Sequence, residues 1–217
     1  MTQDRAATLA AIAEQVRTCR LCRLYEQATR PVPGAGSPDA EIMFIGEGPG
    51  YHEDQQGLPF VGRSGDYLNY LLKLIGLTRD AVFIANVVKH RPPENRDPLP
   101  DEIVACKPYL DQQIAVIDPL VIVTLGRFSM ARYFPEGKIS QIHGRPRYDG
   151  SRAYYPLFHP AAALRAPELR RDMEADIRRL PEVLAEVKAR RASSQAPASA
   201  DTLDAPPPGP PKQLSLF

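Results

Sequence analysis

The chain has 217 residues, 43% of them hydrophobic and 24% charged, which is enough apolar material for one packed domain with a tail. Its formal net charge of +1 excludes a uniformly basic nucleic-acid coat and leaves room only for a local basic rim. No apolar run approaches the ~20 residues of a membrane span, and the first residues, MTQDRAATLAAIAEQVRTC, carry Asp4 and Glu14 where a leader peptide has its apolar centre. A cytoplasmic protein without membrane contact is expected.

Residues 4–18 have a helical rhythm in Leu9, Ile12, Ala13 and Val16 and lead into Cys19. The Gly/Pro-rich stretch PVPGAGSPDA reads as loop. Residues 41–45 (EIMFI) are a short apolar strand that stops at a glycine-rich turn, GEGPG. Residues 64–76 form a helix with Leu68, Leu71, Leu72 and Ile75 on one stripe, and 82–88 a second buried strand. A long helix over 101–117 is predicted with Asp101 as its N-cap. Residues 120–125 (LVIVTL) make a third strand, 127–134 a short helix, 154–158 a fourth strand and 168–190 a charged amphipathic last helix.

Apolar strands alternating with helices predict an α/β fold, a three-layer α/β/α sandwich around a central, mainly parallel four-stranded sheet. Such sheets carry their sites at the carboxyl ends of the strands. The chain's oddest segments fall there: GEGPG after the first strand, Asn86 to His90 after the second, Gly126 and Arg127 after the third, His159 and Pro160 after the fourth. From residue 191 to 212 the chain turns Ala/Ser/Pro-rich and reads as a disordered linker outside a domain of residues 1–190. It ends in the apolar pentapeptide QLSLF.

Three cysteines, Cys19, Cys22 and Cys106, are too few and odd in number for a disulfide framework. Cys19 and Cys22 form a CxxC pair, Cys106 sits mid-helix, and His90 precedes it by sixteen residues beside the loop RPPENRDPLP. Three thiolates and an imidazole suit either zinc or a cubane iron–sulfur cluster, and spacing does not choose between them. A lone CxxC is as often coincidence as a ligand pair, and a lone histidine is more often a loop or core residue.

Taken in order, CRLC at 19–22, GEGPGYHED at 46–54, GLPFVG at 57–62, NVVKHRPPENRDPLPDE at 86–102, Cys106 and HPAAALR at 159–165 resemble the family 4, iron–sulfur uracil-DNA glycosylases over residues 15–185. The resemblance implies a uracil-DNA glycosylase-like fold and hydrolysis of the N-glycosidic bond of uracil flipped out of DNA, acting as a monomer. It also implies a [4Fe-4S] cluster on Cys19, Cys22, Cys106 and, in place of the family's fourth cysteine, His90. In the substrate pocket it implies Asn86 reading the Watson–Crick edge, Phe60 stacking on the base, and Gly46 and Gly48 allowing close backbone approach. Glu53 would exclude thymine's methyl group. His159 would stabilise the departing uracil anion, with Glu47 or Asp54 directing the water.

The wedge that fills the vacated stack falls to Leu164 and Arg165, because alanines stand at 161–163 where the family has bulkier residues. Lys89, Arg91, Arg96 and Arg63 are candidate phosphate contacts. The tail resembles the peptide that docks bacterial repair proteins on the sliding clamp, with Leu214, Leu216 and Phe217 in an apolar groove and Gln213 making a polar contact. The related covalent uracil-capturing type carries a basic KRRIH insertion, which this loop lacks. A non-catalytic cluster-bearing DNA module and a zinc-stabilised structural protein are the remaining alternatives.

Overall fold

The computed structural model describes residues 2–195. The helices are α1 (Thr2–Arg17), α2 (Tyr51–Gln56), α3 (Arg63–Leu74), α4 (Pro100–Ile117), α5 (Arg127–Ala131), α6 (Ile139–Ile142), α7 (Pro160–Arg165) and α8 (Pro167–Gln195). The strands are β1 (Ala35–Gly36), β2 (Ile42–Gly46), β3 (Phe83–Asn86), β4 (Val121–Leu125), β5 (Arg147–Asp149) and β6 (Arg152–Leu157). They form one sheet in the order β1-β3-β2-β4-β6-β5.

The sheet corrects the four-stranded expectation. Its centre, β3-β2-β4-β6, is parallel as predicted, but each edge carries a short antiparallel strand, β1 against β3 and β5 against β6. Neither edge strand has an apolar run. β1 lies within the Gly/Pro stretch, and β5 (RYD) is a charged strand joined to β6 through a two-residue turn with Gly150 at φ +57°.

Each central strand buries both faces, and alternate residues serve different cores. Ile42 and Phe44 of β2, Ile84 of β3 and Val121, Val123 and Leu125 of β4 pack against α3, α7 and α8. Met43 and Ile45, Phe83 and Ala85, and Ile122 pack against α1 and α4. The helices answer with stripes at three- and four-residue spacing: Leu68, Leu71 and Leu72 on α3, and Met173, Ile177, Leu180, Val183 and Val187 on α8.

The start of α4 differs from expectation. Leu99, not Asp101, holds the cap position; its N–H donates to Glu102 Oε2 at 2.8 Å, while Asp101 sits in the first turn. The last helix also runs past residue 190 to Gln195, into the segment expected to be linker. Arg191 on its final turns donates to Ser151 O at 2.9 Å and to Asp118 at 3.3 Å. The remaining linker and the peptide 213–217 lie outside the described residues.

From β2 the chain crosses through α3 to β3 on one side, and β3 returns through α4 to β4 on the other. The two crossovers cover opposite faces, so a crevice opens above the carboxyl end of β2.

Candidate active site

That crevice is a cavity of about 460 Å³. Glu47, Gly48, Gly50 and Glu53 line it from the segment after β2, and Phe60 from the loop beyond. Asn86 lines it from the end of β3, Pro92, Asn95, Arg96 and Asp97 from the following loop, and His159, Ala161, Ala162 and Arg165 from the β6–α7 junction. All four strand-end segments singled out by pattern lie in this region, and three of them contribute lining residues.

Asn86 is 1% exposed, and its Oδ1 has no hydrogen-bond partner. It stands beside Gly46 in the β2–β3 register. A Cβ at position 46 would lie 2.4 Å from Asn86 Oδ1 and 2.6 Å from Phe60 Cζ, so glycine is what lets amide and ring meet. Phe60 is 5% exposed and adopts φ +52°, a conformation that L residues rarely hold unaided. Two groups brace it. Arg79 donates to Phe60 O at 2.9 Å and to Pro59 O at 2.5 Å. Glu53 accepts from Val61 and Gly62 N–H at 2.9 and 3.1 Å through Oε1, and from Gly50 N–H at 3.1 Å through Oε2.

His159 precedes α7 and caps it: its Nδ1 accepts the Ala161 N–H at 3.1 Å. Burial pushes its pKa down to about 4, with Arg165 acting in the same direction and Glu53 opposing. The ring is therefore neutral near pH 7, and because Nδ1 is the acceptor, its one proton sits on Nε2. Its centroid is 5.7 Å from that of Phe60, with the planes 32° apart. Glu47 is half-buried, and its pKa is raised by burial and by Asp97, against the opposing charge of Arg127.

Other candidates fall elsewhere. Asp54 is 1% exposed and accepts the backbone N–H groups of Thr29 and Arg30 at 2.8 and 3.4 Å. It is not among the cavity-lining residues, because neighbours on a helix point about 100° apart and Glu53 takes the inward position. Leu164 packs against the core of α3 and α8, while Arg165 is exposed at the cavity. Lys89 cannot hold phosphate: it is 0% exposed and donates to Asn86 O at 3.0 Å and Gln113 Oε1 at 2.8 Å. Arg96 is tied to the buried Glu102 by two bonds, at 2.8 and 2.6 Å.

Residues 33–180 match the family model described as Uracil DNA glycosylase superfamily. The chain belongs to that superfamily. Within it, the chain is 47% identical to the Type-4 uracil-DNA glycosylase of Sulfurisphaera tokodaii over 186 residues, covering 81% of this chain and 84% of that one. It is 44% identical to the Type-4 uracil-DNA glycosylase of Thermotoga maritima over 172 residues, 76% and 89% of the two chains. Similarity to the Type-5 uracil-DNA glycosylase of Thermus thermophilus is lower, 34% over 116 residues, 46% and 52% of the chains.

This superfamily member gathers its cysteines on the α1–α4 side of the sheet. Cys106 is buried in that core, and Cys19 and Cys22 pack against it. The Cys106 thiol is pushed up to about 11 by burial, with the nearby Lys89 opposing and Cys22 and Cys19 adding to the rise. The Lys89 N–H donates to Cys106 Sγ at 3.2 Å, which carries the backbone of neighbouring His90 past the thiol. His90 is 5% exposed and its pKa is lowered by burial, so the ring is neutral as a ligand must be. The charge that its ring feels is that of Asp54. Among the described residues no three His, Cys, Asp or Glu side chains form a ready metal-binding group. The three thiols lie near enough to feel one another's charge, which suits thiolate ligation of a cluster, whereas the contact of the His90 ring is Asp54 and not a thiol.

Sequence reading missed Arg79, Gln113 and Glu102, and it assigned Lys89 and Arg96 to phosphate instead of to these buried partners. Lys89 alone had a signal, since a cation within the apolar run NVVKH demands buried acceptors.

Proposed function

We propose that this chain is a uracil-DNA glycosylase that hydrolyses the N-glycosidic bond of flipped-out deoxyuridine and so starts base excision repair. The observation that carries this reading is the buried, unpartnered amide oxygen of Asn86, set in a cavity with an apolar ring and a neutral imidazole. A buried acceptor without a donor is costly, and the N3–H on the Watson–Crick edge of uracil would supply the donor that Oδ1 lacks, beside a carbonyl for the amide N–H.

Asn86 pairs with the base edge and Phe60 stacks on it. Glu53 stands against the ring position where thymine carries a methyl group. As the C1′–N1 bond breaks, its electron pair moves to the base, and the His159 Nε2–H donates to the uracil oxygen where negative charge grows. Water bonds to C1′ on the opposite face, oriented by Glu47, whose carboxylate also faces the cationic sugar; the water's second proton leaves to solvent. Arg165 is the residue at the cavity suited to fill the vacated stack or meet a phosphate, supported by its exposure there.

A [4Fe-4S] cluster would be held by Cys19, Cys22 and Cys106 with His90 as the fourth donor. When bound, it would supply covalent cross-links between the end of α1, the following turn and α4. The terminal peptide, through Gln213, Leu214, Leu216 and Phe217, would dock the enzyme as a cytoplasmic monomer on the bacterial sliding clamp. Deleting 213–217 should then abolish clamp binding and leave activity on short oligonucleotides intact.

The deciding measurement is alkali-revealed strand cleavage of a uracil-containing oligonucleotide by cluster-replete protein. Asn86→Ala and His159→Ala should each lower kcat/KM by about 10²–10³. An intact strand after prolonged incubation with the wild-type protein overturns the reading.

A further inference from the structure

An exposed aromatic stands beside the cavity and takes no part in the chemistry above. Tyr51 directly follows Gly50, which lines the cavity, and 56% of its surface stays open. Its neighbour His52 meets the ring edge-on, with centroids 5.5 Å and planes 78° apart. The Arg91 guanidinium lies 5.3 Å from the ring centroid. Arg91 Nε donates to Asn95 Oδ1 at 2.8 Å, and Asn95 and Pro92 both line the cavity. The segments after β2 and after β3 thus bring a flat ring and a braced cation together at the mouth.

The chain's net charge is only +1, so phosphate capture depends on a few placed cations. Around this mouth Lys89 is buried, Arg96 is held by Glu102 and Arg127 is paired with Asp97, which leaves Arg165 at the β6–α7 junction and Arg91 beside Tyr51. Arg91 has a neutral amide as its partner and keeps its charge for a ligand.

We propose that Tyr51 and Arg91 form a second nucleotide subsite: an unpaired base flanking the extruded nucleotide stacks on the Tyr51 ring, and Arg91 neutralises the adjoining phosphate. This rests on the uracil-DNA reading above. Stacking serves any base, because every base has a π face, and it requires that the neighbour be single-stranded or unstacked. The subsite therefore favours single strands and locally opened duplex without imposing a sequence.

The test is fluorescence anisotropy with single strands that carry a tetrahydrofuran abasic unit in place of deoxyuridine. A second set of strands also lacks the base on the 5′ or the 3′ side. Tyr51→Ala should weaken binding of the complete strand roughly tenfold, and Tyr51→Phe should bind within about twofold of wild type. Removing the flanking base on one side should cost the wild type a similar factor and Tyr51→Ala almost nothing. Arg91→Gln should lower the slope of log affinity against log salt by about 0.7, and Tyr51→Ala should leave that slope unchanged.

Additive losses from Tyr51→Ala and base removal overturn the proposal, and so does a Tyr51→Phe loss equal to that of Tyr51→Ala. Binding is read without excision, so an inactive protein would sink the glycosylase reading while this subsite still stood or fell by its own result.

Discussion

Lys89 shows what a single buried side chain can hold together. An ammonium at 0% exposure persists only with acceptors in reach, and here they are the carbonyl of Asn86 and the amide of Gln113, which itself donates to Pro33 O at 2.7 Å. Lys89→Met should cost about 1–3 kcal/mol, mostly by leaving Gln113 Oε1 without a donor. The double variant Lys89→Met with Gln113→Leu should recover much of the melting temperature but not kcat/KM, because the Asn86 carbonyl stays unheld. Joint recovery would reduce Lys89 to a packing role.

His159 makes a separate prediction through pH. Its folded pKa of about 4 lies below the ordinary histidine value of 6.5, so between these values the unfolded chain binds the proton and the folded one does not. Stability should fall as pH drops from 6.5 to about 4, by on the order of 2–3 kcal/mol, and level off below. His159→Asn, which keeps a capping acceptor, should flatten that limb in chemical-denaturation curves; parallel curves would refute the assignment. Pattern placed Glu47, Asn86 and His159 at strand ends, but their roles, and Phe60 altogether, came from the family resemblance. Sequence could not sort Glu53 from Asp54, since adjacent carboxylates differ only in which way the helix turns them.

At the level of elements, the loop from Pro59 to Gly62 depends on contacts that no local motif encodes. Gly65 on α3 passes so close that an added Cβ would lie 1.8 Å from Phe60 O, the same oxygen that Arg79 holds. Gly65→Ala should therefore displace Phe60, lower stability by about 1–3 kcal/mol and raise KM more than it lowers kcat. Unchanged kinetics in a folded Gly65→Ala protein would show that the ring's position does not depend on this approach. The parallel strands were legible because each is apolar on both faces. The edge strands β1 and β5 were not, because they are held by backbone pairing to a neighbour rather than by side chains of their own. The helix starting at Pro100 was legible, but its cap was not, since Glu102 reaches back to Leu99 from within the first turn.

Among the described residues two cores share one sheet, and the cysteines belong to only one of them. If Cys19, Cys22, Cys106 and His90 hold a cluster, Cys106→Ser should lower iron content per chain. It should also speed hydrogen exchange in α1 and the first turns of α4, while α3 and α8 keep their protection. Uniform loss of protection on both faces would place the metal elsewhere or make the two cores one cooperative unit. The α8 helix runs the other way from the strands: it begins beside α7 at the cavity, and Arg191 near its end is pinned to Asp118 and Ser151, which precede β4 and β6. The described chain therefore finishes at the foot of the sheet, a full strand length from the catalytic mouth. Immobilising the protein on a bead or sensor chip through its C-terminal end should leave the mouth facing solution, whereas attachment at Tyr51 or Arg165 should block it.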